Sequence, residues 1–202
     1  MPDEVLPWDA GRVLRLLPVE IDDDEAVAQF ERLDRFIRAG VPAPAVYGID
    51  MAKGRLGVIE DLIVGPTMLA RLSARPWQAR VMGHELGALQ RRIHRLTAPA
   101  TIGPAHGCIC HGNLGPEQVL LTDNGPVVVG WQNAYIGRPE TDVETTLARI
   151  QELRPPDNAR LRTLANVGWK RFDSAYRSLV TGVTRPVSAR SNHHRRRRSS
   201  RS

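Results

Sequence analysis

Residues 105–121 read AHGCICHGNLGPEQVLL. An apolar stretch leads into His111-Gly112, a short loop with Asn113 and Pro116 follows, and a second apolar stretch starts at Val119. Strand, polar loop, strand is a layout that presents side chains to a substrate from a rigid support. Acid/base chemistry in such a loop calls for a carboxylate. Directly after His-Gly the chain instead has Asn113, whose amide hydrogen-bonds a hydroxyl but is neutral and has negligible basicity. The same stretch offers a second chemistry. His106, Cys108 and Cys110 alternate, which on a strand puts all three on one face. Structural zinc sites draw four ligands from two separated pairs, and the chain has only these two cysteines. Two buried thiols in a reduced core are therefore the simpler reading of the pair.

Holding such a loop requires a scaffold, and its elements can be traced. GRVLRLLP (11–18) reads as a short strand ended by Pro18. Residues 20–40 read as a helix, with Asp22 to Asp24 as cap and acidic first turn. Val27, Phe30, Leu33, Phe36 and Ile37 fall at helical spacing, and Gly40 ends it. VPAPAVYGID leads into a strand that turns back through Lys53-Gly54 into GRLGVIEDLI. PTMLARL starts a helix, and residues 76–99 form a longer amphipathic one with Val81, Leu86, Leu89, Ile93 and Leu96 on one side. QVLLTDNGPVVVGW reads as a hairpin, with Asn124-Gly125 as its turn signal. Residues 141–152 and 157–180 read as two further helices.

Composition sets the limits. The chain has 202 residues, 42% of them apolar and only 5% aromatic, so its core has to rely on Leu, Val, Ile and Ala. No apolar run approaches the ~20 residues of a bilayer span. MPDEVLPWD lacks the basic-then-apolar order of a signal peptide, so a cytoplasmic location is expected. The formal charge of +6 is misleading. Residues 185–202 hold seven Arg and no acid, which leaves −1 for residues 1–184. The tail, HHRRRRSSRS at its end, reads as disordered. Contact with nucleic acid is expected only there, through charge alone, because no aromatic residue is interleaved to stack on bases.

CHGNLGPEQVLLTDNGPVVVGWQNAYIGRPETDVETTLA resembles the catalytic segment of aminoglycoside phosphotransferases and their choline-kinase-like relatives, which share the protein-kinase-like fold. RVLRL, AGVPAPAVYG, GVIEDLIVGPTML and LGALQRRIHRLTAP occur in that family's order at roughly its spacing, so the likeness covers about residues 11–150. It implies an α+β, bilobal fold. Residues 1–62 would form a truncated N-terminal, nucleotide-side lobe with an exposed sheet edge. Residues 63–184 would form a mainly helical lobe with one β-hairpin, and residues 185–202 the tail. It also implies ATP and Mg²⁺ as cofactors, a small-molecule hydroxyl as acceptor and no membrane.

Residue by residue, the resemblance puts Asn113 where the family has its catalytic Asp, beside His111. It puts Gln118 at the Asn that ligates Mg²⁺, and Gly130 at the Asp that is the main metal ligand. Asp142 falls at the acidic position that braces the loop backbone. On the nucleotide side it implies Arg15 at the basic strand position, Gln29 as its helix partner, and Glu60 and Leu62 along the connection between lobes. His94 falls at a helix histidine with a packing or hydrogen-bonding role. Both carboxylates that would serve the phosphates are thus replaced. Mg²⁺ usually takes one or two carboxylates, and losing a general base costs on the order of 10²–10⁴ in rate. The expectation is a pseudo-phosphotransferase. An active kinase with Asp123, Glu117 or Glu140 as substitute ligand is the alternative, and a nucleic-acid-associated protein acting through the tail is a third.

Overall fold

The computed structural model describes residues 4–98, 107–154 and 163–181. His106, the basic tail and residues 157–162 of the helix expected over 157–180 lie outside these residues. A four-stranded antiparallel sheet comes first. β1 (Val5–Asp9), β2 (Arg12–Leu16), β3 (Val46–Ala52) and β4 (Arg55–Asp61) lie in the order β1-β2-β4-β3. The β3–β4 turn follows directly from backbone sterics. Lys53 and Gly54 both adopt positive φ (53° and 70°), which gives a two-residue turn whose twist matches the strands it joins. α1 (Asp23–Arg38) is capped by Asp22, whose side chain accepts from the Glu25 amide at 2.9 Å. Acids in its first turn and Arg35 and Arg38 in its last complement the helix dipole. It buries Ala26, Leu33 and Phe36, and Val27, expected inside, is 48% exposed.

The remaining elements build the larger body. These are α2 (Met68–Ala74), α3 (Ala79–His94), β5 (Cys108–Cys110), β6 (Val119–Thr122), β7 (Gly125–Val128), β8 (Tyr135–Gly137), α4 (Pro139–Glu152) and α5 (Thr163–Val180). α3 begins after a single 3-10 turn at Pro76–Gln78, and it packs on α5. Gly83 and Gly87 make that approach possible. A Cβ on Gly83 would stand 2.2 Å from the Phe172 carbonyl oxygen. Val81 faces outward at 59% exposure, and the buried stripe runs through Met82, Leu86, Leu89 and Ile93. Among the described residues no helix is long and apolar enough to cross a membrane.

The structure adds local detail and corrects one turn. β1 pairs with β2 from Val5↔Arg15 to Asp9↔Arg12, so β1 is the strand at that edge of the sheet. VLPWD hides this strand from pattern reading because it is exposed along most of its length. The β6–β7 hairpin closes at Thr122↔Gly125, so Asp123 and Asn124 form its loop. Only Gly125 has positive φ there (111°), and Thr122 Oγ1 ties the turn by donating to the Gly125 carbonyl at 2.7 Å. Finally, β5 pairs with β8, a three-residue strand too short to leave a periodic signal.

Candidate functional site

β5 delivers the chain to His111, which is 1% exposed. Its ring meets Trp131 edge-on, with centroids 4.8 Å apart. A carbonyl only accepts, so the 2.9 Å contact with Val129 O places a hydrogen on His111 Nε2. Nδ1 then accepts from the Asn113 amide at 3.3 Å. The neutral ring is fully used, and burial holds its pKa below the ordinary value. Gly112 has φ +77°, and a Cβ there would lie 2.3 Å from Asn133 O, so no other residue fits this bend.

Asp142, near the start of α4 and 1% exposed, organises the loop from below. Its Oδ1 accepts from the Gly112 amide at 2.7 Å. Its Oδ2 accepts from Gln90 Nε2 at 2.9 Å and from His94 Nε2 at 2.8 Å. Burial pushes the Asp142 carboxyl up, but these donors outweigh it and the pKa is lowered on balance. Gln90 also donates to Thr146 Oγ1 at 3.0 Å and accepts from the Tyr176 hydroxyl. Nothing local in the sequence singles out Gln90, Thr146 or Tyr176. Gln90 and Thr146 reach Asp142 directly and Tyr176 reaches it through Gln90, a network that exists only once α3, α4 and α5 are packed together.

A cavity of about 220 Å³ joins the sheet to the hairpin. It brings together five of the residues implied by the resemblance: Arg15, Glu60, Leu62, Gln118 and Gly130. Arg15 and Glu60 are both buried and form an ion pair, Nε to the two carboxylate oxygens at 3.1 and 3.2 Å. The strand register makes them diagonal neighbours, since Val58 lies opposite Arg15 and Val13 opposite Glu60. Gln29 is not brought to Arg15. It lies on the exposed side of α1 and donates to Glu25 at 3.1 Å. The Leu62 amide, at the cavity wall, donates to the Gly11 carbonyl at 2.9 Å.

Gln118 and Gly130 are neighbours. A Cβ built on Gly130, whose φ is +81°, would stand 2.4 Å from Gln118 Oε1. The long amide therefore occupies the space that a side chain at position 130 would need. Mg²⁺ binding would require hard oxygens with one or two carboxylates here. Gln118 and Gly130 supply one amide oxygen and no carboxylate, and the two acids that line the cavity are already taken, Glu60 by Arg15 and Asp61 by the Tyr47 hydroxyl and the Ala45 amide, so the residues present do not fit the ion. Nearby acids are engaged elsewhere. Glu117 pairs with Arg149, with its second oxygen buried and without a hydrogen-bond partner, and Glu140 lies 3.6 Å from Arg138. Asp123 sits in the hairpin loop, against a different cavity shared with Arg71 and Glu85.

The thiols lie on β5, directly before the loop, and neither lines the cavity. Cys108 and Cys110 are free and buried, with sulfurs 3.6 Å apart. Cys110 has the carbonyls of Cys108 and Arg138 within reach as acceptors, at 3.6 and 3.7 Å. Its hydrogen bond to Cys108 draws the Cys108 thiol down to about 7 and pushes its own up.

No protein-family model matches the chain, and no curated protein does. Solved structures do. Aminoglycoside phosphotransferase APH(3'')-Id from Streptomyces rimosus superimposes with a TM-score of 0.58 at 14% identity, covering 85% of this chain and 81% of that one. An aminoglycoside-3'-phosphotransferase of type VIII gives 0.58 at 15% identity, covering 94% and 90%. Amicoumacin kinase hAmiN, solved with AMP-PNP and Ca²⁺, gives 0.51 at 9% identity, covering 88% and 73%. At these identities the likeness speaks for architecture, and the chain has the fold of these small-molecule phosphotransferases.

Proposed function

We propose that the protein is a pseudo-phosphotransferase. It keeps the scaffold of an ATP-dependent kinase for small-molecule hydroxyls, and its cleft has become a binding site with little or no transfer activity. The observation that carries this reading is the Gln118 amide lying in the space that a side chain at Gly130 would need, and the resemblance, which puts Asn113 at the base position, points the same way. Two features add support. The cavity of about 220 Å³ is smaller than the ~300–1,000 Å³ usual for ligand pockets. The Leu62 amide and the Arg15 Nε are both already bonded within the protein, so a nucleotide that used these two donors would have to displace their partners.

Calorimetric titration with ATP, with and without Mg²⁺, tests the reading, together with phosphorylation assays on aminoglycosides and amino alcohols. The expected result is no Mg²⁺-dependent component and no turnover. Mg²⁺-dependent transfer to any acceptor overturns it. A second reading keeps activity with Glu117 as substitute ligand, and its unpartnered buried oxygen is the observation in favour. It expects Glu117→Gln to abolish a measurable transfer.

A further inference from the structure

His94, Cys108 and Cys110 each contribute one ligand atom to a group spanning no more than 4.8 Å. Among the described residues it is the one such cluster of histidine, cysteine and acidic side chains. The two sulfurs alternate on β5, so one strand face carries both. They stand 3.6 Å apart. Two thiolates bound to one tetrahedral zinc at 2.3 Å would be separated by about 3.8 Å, so the pair already has close to the spacing of a chelate. Cys108 is 9% exposed and the His94 side chain 7%, which leaves a narrow approach from solvent.

His94 is also anchored by a carboxylate. Its Nε2 donates to Asp142 Oδ2 at 2.8 Å, which leaves Nδ1 as the ring nitrogen available to a metal. Metal-binding histidines are held in this way, one ring nitrogen on the metal and the other donating to a carboxylate that fixes the tautomer and raises ligand basicity. Two soft sulfurs with an imidazole select zinc or a similarly thiophilic ion over Mg²⁺ or Ca²⁺.

We propose that His94, Cys108 and Cys110 form a soft-metal site for Zn²⁺, with three protein ligands and one open position. Binding displaces the thiol protons to solvent. The site lies outside the cleft discussed above and does not depend on its reading. Its effect reaches the loop by one route. His94 holds Asp142 Oδ2, and Asp142 Oδ1 holds the Gly112 amide. An occupied site therefore stiffens the His111–Asn113 turn from beneath.

The test uses the reduced full-length chain titrated with Co²⁺ and then Zn²⁺. One equivalent of Co²⁺ is expected to give a thiolate-to-cobalt charge-transfer band, which Zn²⁺ bleaches and which Cys108→Ser and Cys110→Ser each reduce or abolish. X-ray absorption on the zinc-loaded wild type needs no variant, and is expected to show two sulfurs at ~2.3 Å with nitrogen at ~2.0–2.1 Å. Zinc at a hundredfold excess over Kd should raise the melting midpoint by ~5–10 °C and slow hydrogen exchange at the Gly112 amide. A first shell of nitrogen and oxygen alone places the metal on other histidines of the chain and overturns the proposal. So does a cobalt spectrum without the thiolate band, or air oxidation to a Cys108–Cys110 disulfide that proceeds equally fast with zinc present.

Discussion

Gln118 Oε1 lies 2.4 Å from the point where a side chain on Gly130 would begin, so the two positions are coupled by volume. Gly130→Asp alone should destabilise the protein by ~1–2 kcal/mol, because an L residue is forced to positive φ and Gln118 has to swing away. It should also leave ATP binding insensitive to Mg²⁺. Adding Gln118→Asn and Asn113→Asp restores space and both carboxylates. Calorimetry on the triple variant is expected to show Mg²⁺-dependent ATP binding. If Gly130→Asp alone produces it, volume coupling is not the obstacle.

Asp142 ties three donors to one carboxylate. Asp142→Ala leaves the Gly112 amide, Gln90 and His94 without their acceptor in a buried setting, at a cost of ~3–5 kcal/mol. Asp142→Asn keeps one carbonyl oxygen and should cost less. Urea denaturation of the two variants checks the ranking, and equal losses would show that shape rather than donor satisfaction holds the loop.

The neutral state of His111 predicts a pH dependence. The unfolded imidazole titrates near 6.5, while burial lowers the folded value. As pH falls below 6.5 the unfolded chain takes up a proton that the folded chain refuses. The stability contributed by His111 is thus complete above 6.5 and drains as pH drops toward the depressed value. Urea midpoints should fall between about pH 7 and about pH 5, and His111→Gln should flatten that part of the slope. An unchanged slope in the variant would assign the effect to another group.

Two glycines should fail for different reasons. Gly83→Ala places a methyl against the Phe172 carbonyl and wedges α3 from α5, costing ~1–3 kcal/mol. Gly54→Ala meets no atom within 4 Å, but its φ is +70°, so only backbone strain of roughly 1 kcal/mol is expected. Thermal unfolding of the pair separates packing from strain.

Glu60→Gln leaves the Arg15 guanidinium buried without its counter-charge, with an expected loss of ~3–5 kcal/mol, whereas Arg15→Met with Glu60→Leu should recover much of it. A double-mutant cycle in urea gives the coupling directly. Coupling near zero would make the pair incidental.

Much of this was readable in advance where the signal is local. Asp22 caps α1, the Lys53-Gly54 turn sets the β3–β4 register, and PEQVLLTDNGPVVVGW marks the hairpin through its turn residues. What escaped depends on partners far along the chain. The resemblance implies Gln29 as the helix partner of Arg15, and the partner that pairs with it is Glu60, 45 residues away and fixed by strand register. Val27 and Val81 fit the apolar periodicities but face outward, and at those turns Ala26 and Met82 go inside, while Leu33, Phe36, Leu86, Leu89 and Ile93 pack as the periodicity expects. His94 joins the thiols only through the packing of α3 on β5. The hydrogen-bonding role read for it was visible, and its neighbours were not.

The wiring of the loop also sets an order of events in folding. Gly112 depends on Asp142, 30 residues away, Asp142 on Gln90, 52 away, and Gln90 on Tyr176, 86 away. Each link closes a longer loop of chain, and entropy makes such closures late and slow. The His111–Asn113 turn therefore reaches its final form only after α5 has docked on α3. During synthesis, the part of the chain that looks most like chemistry is among the last to take shape.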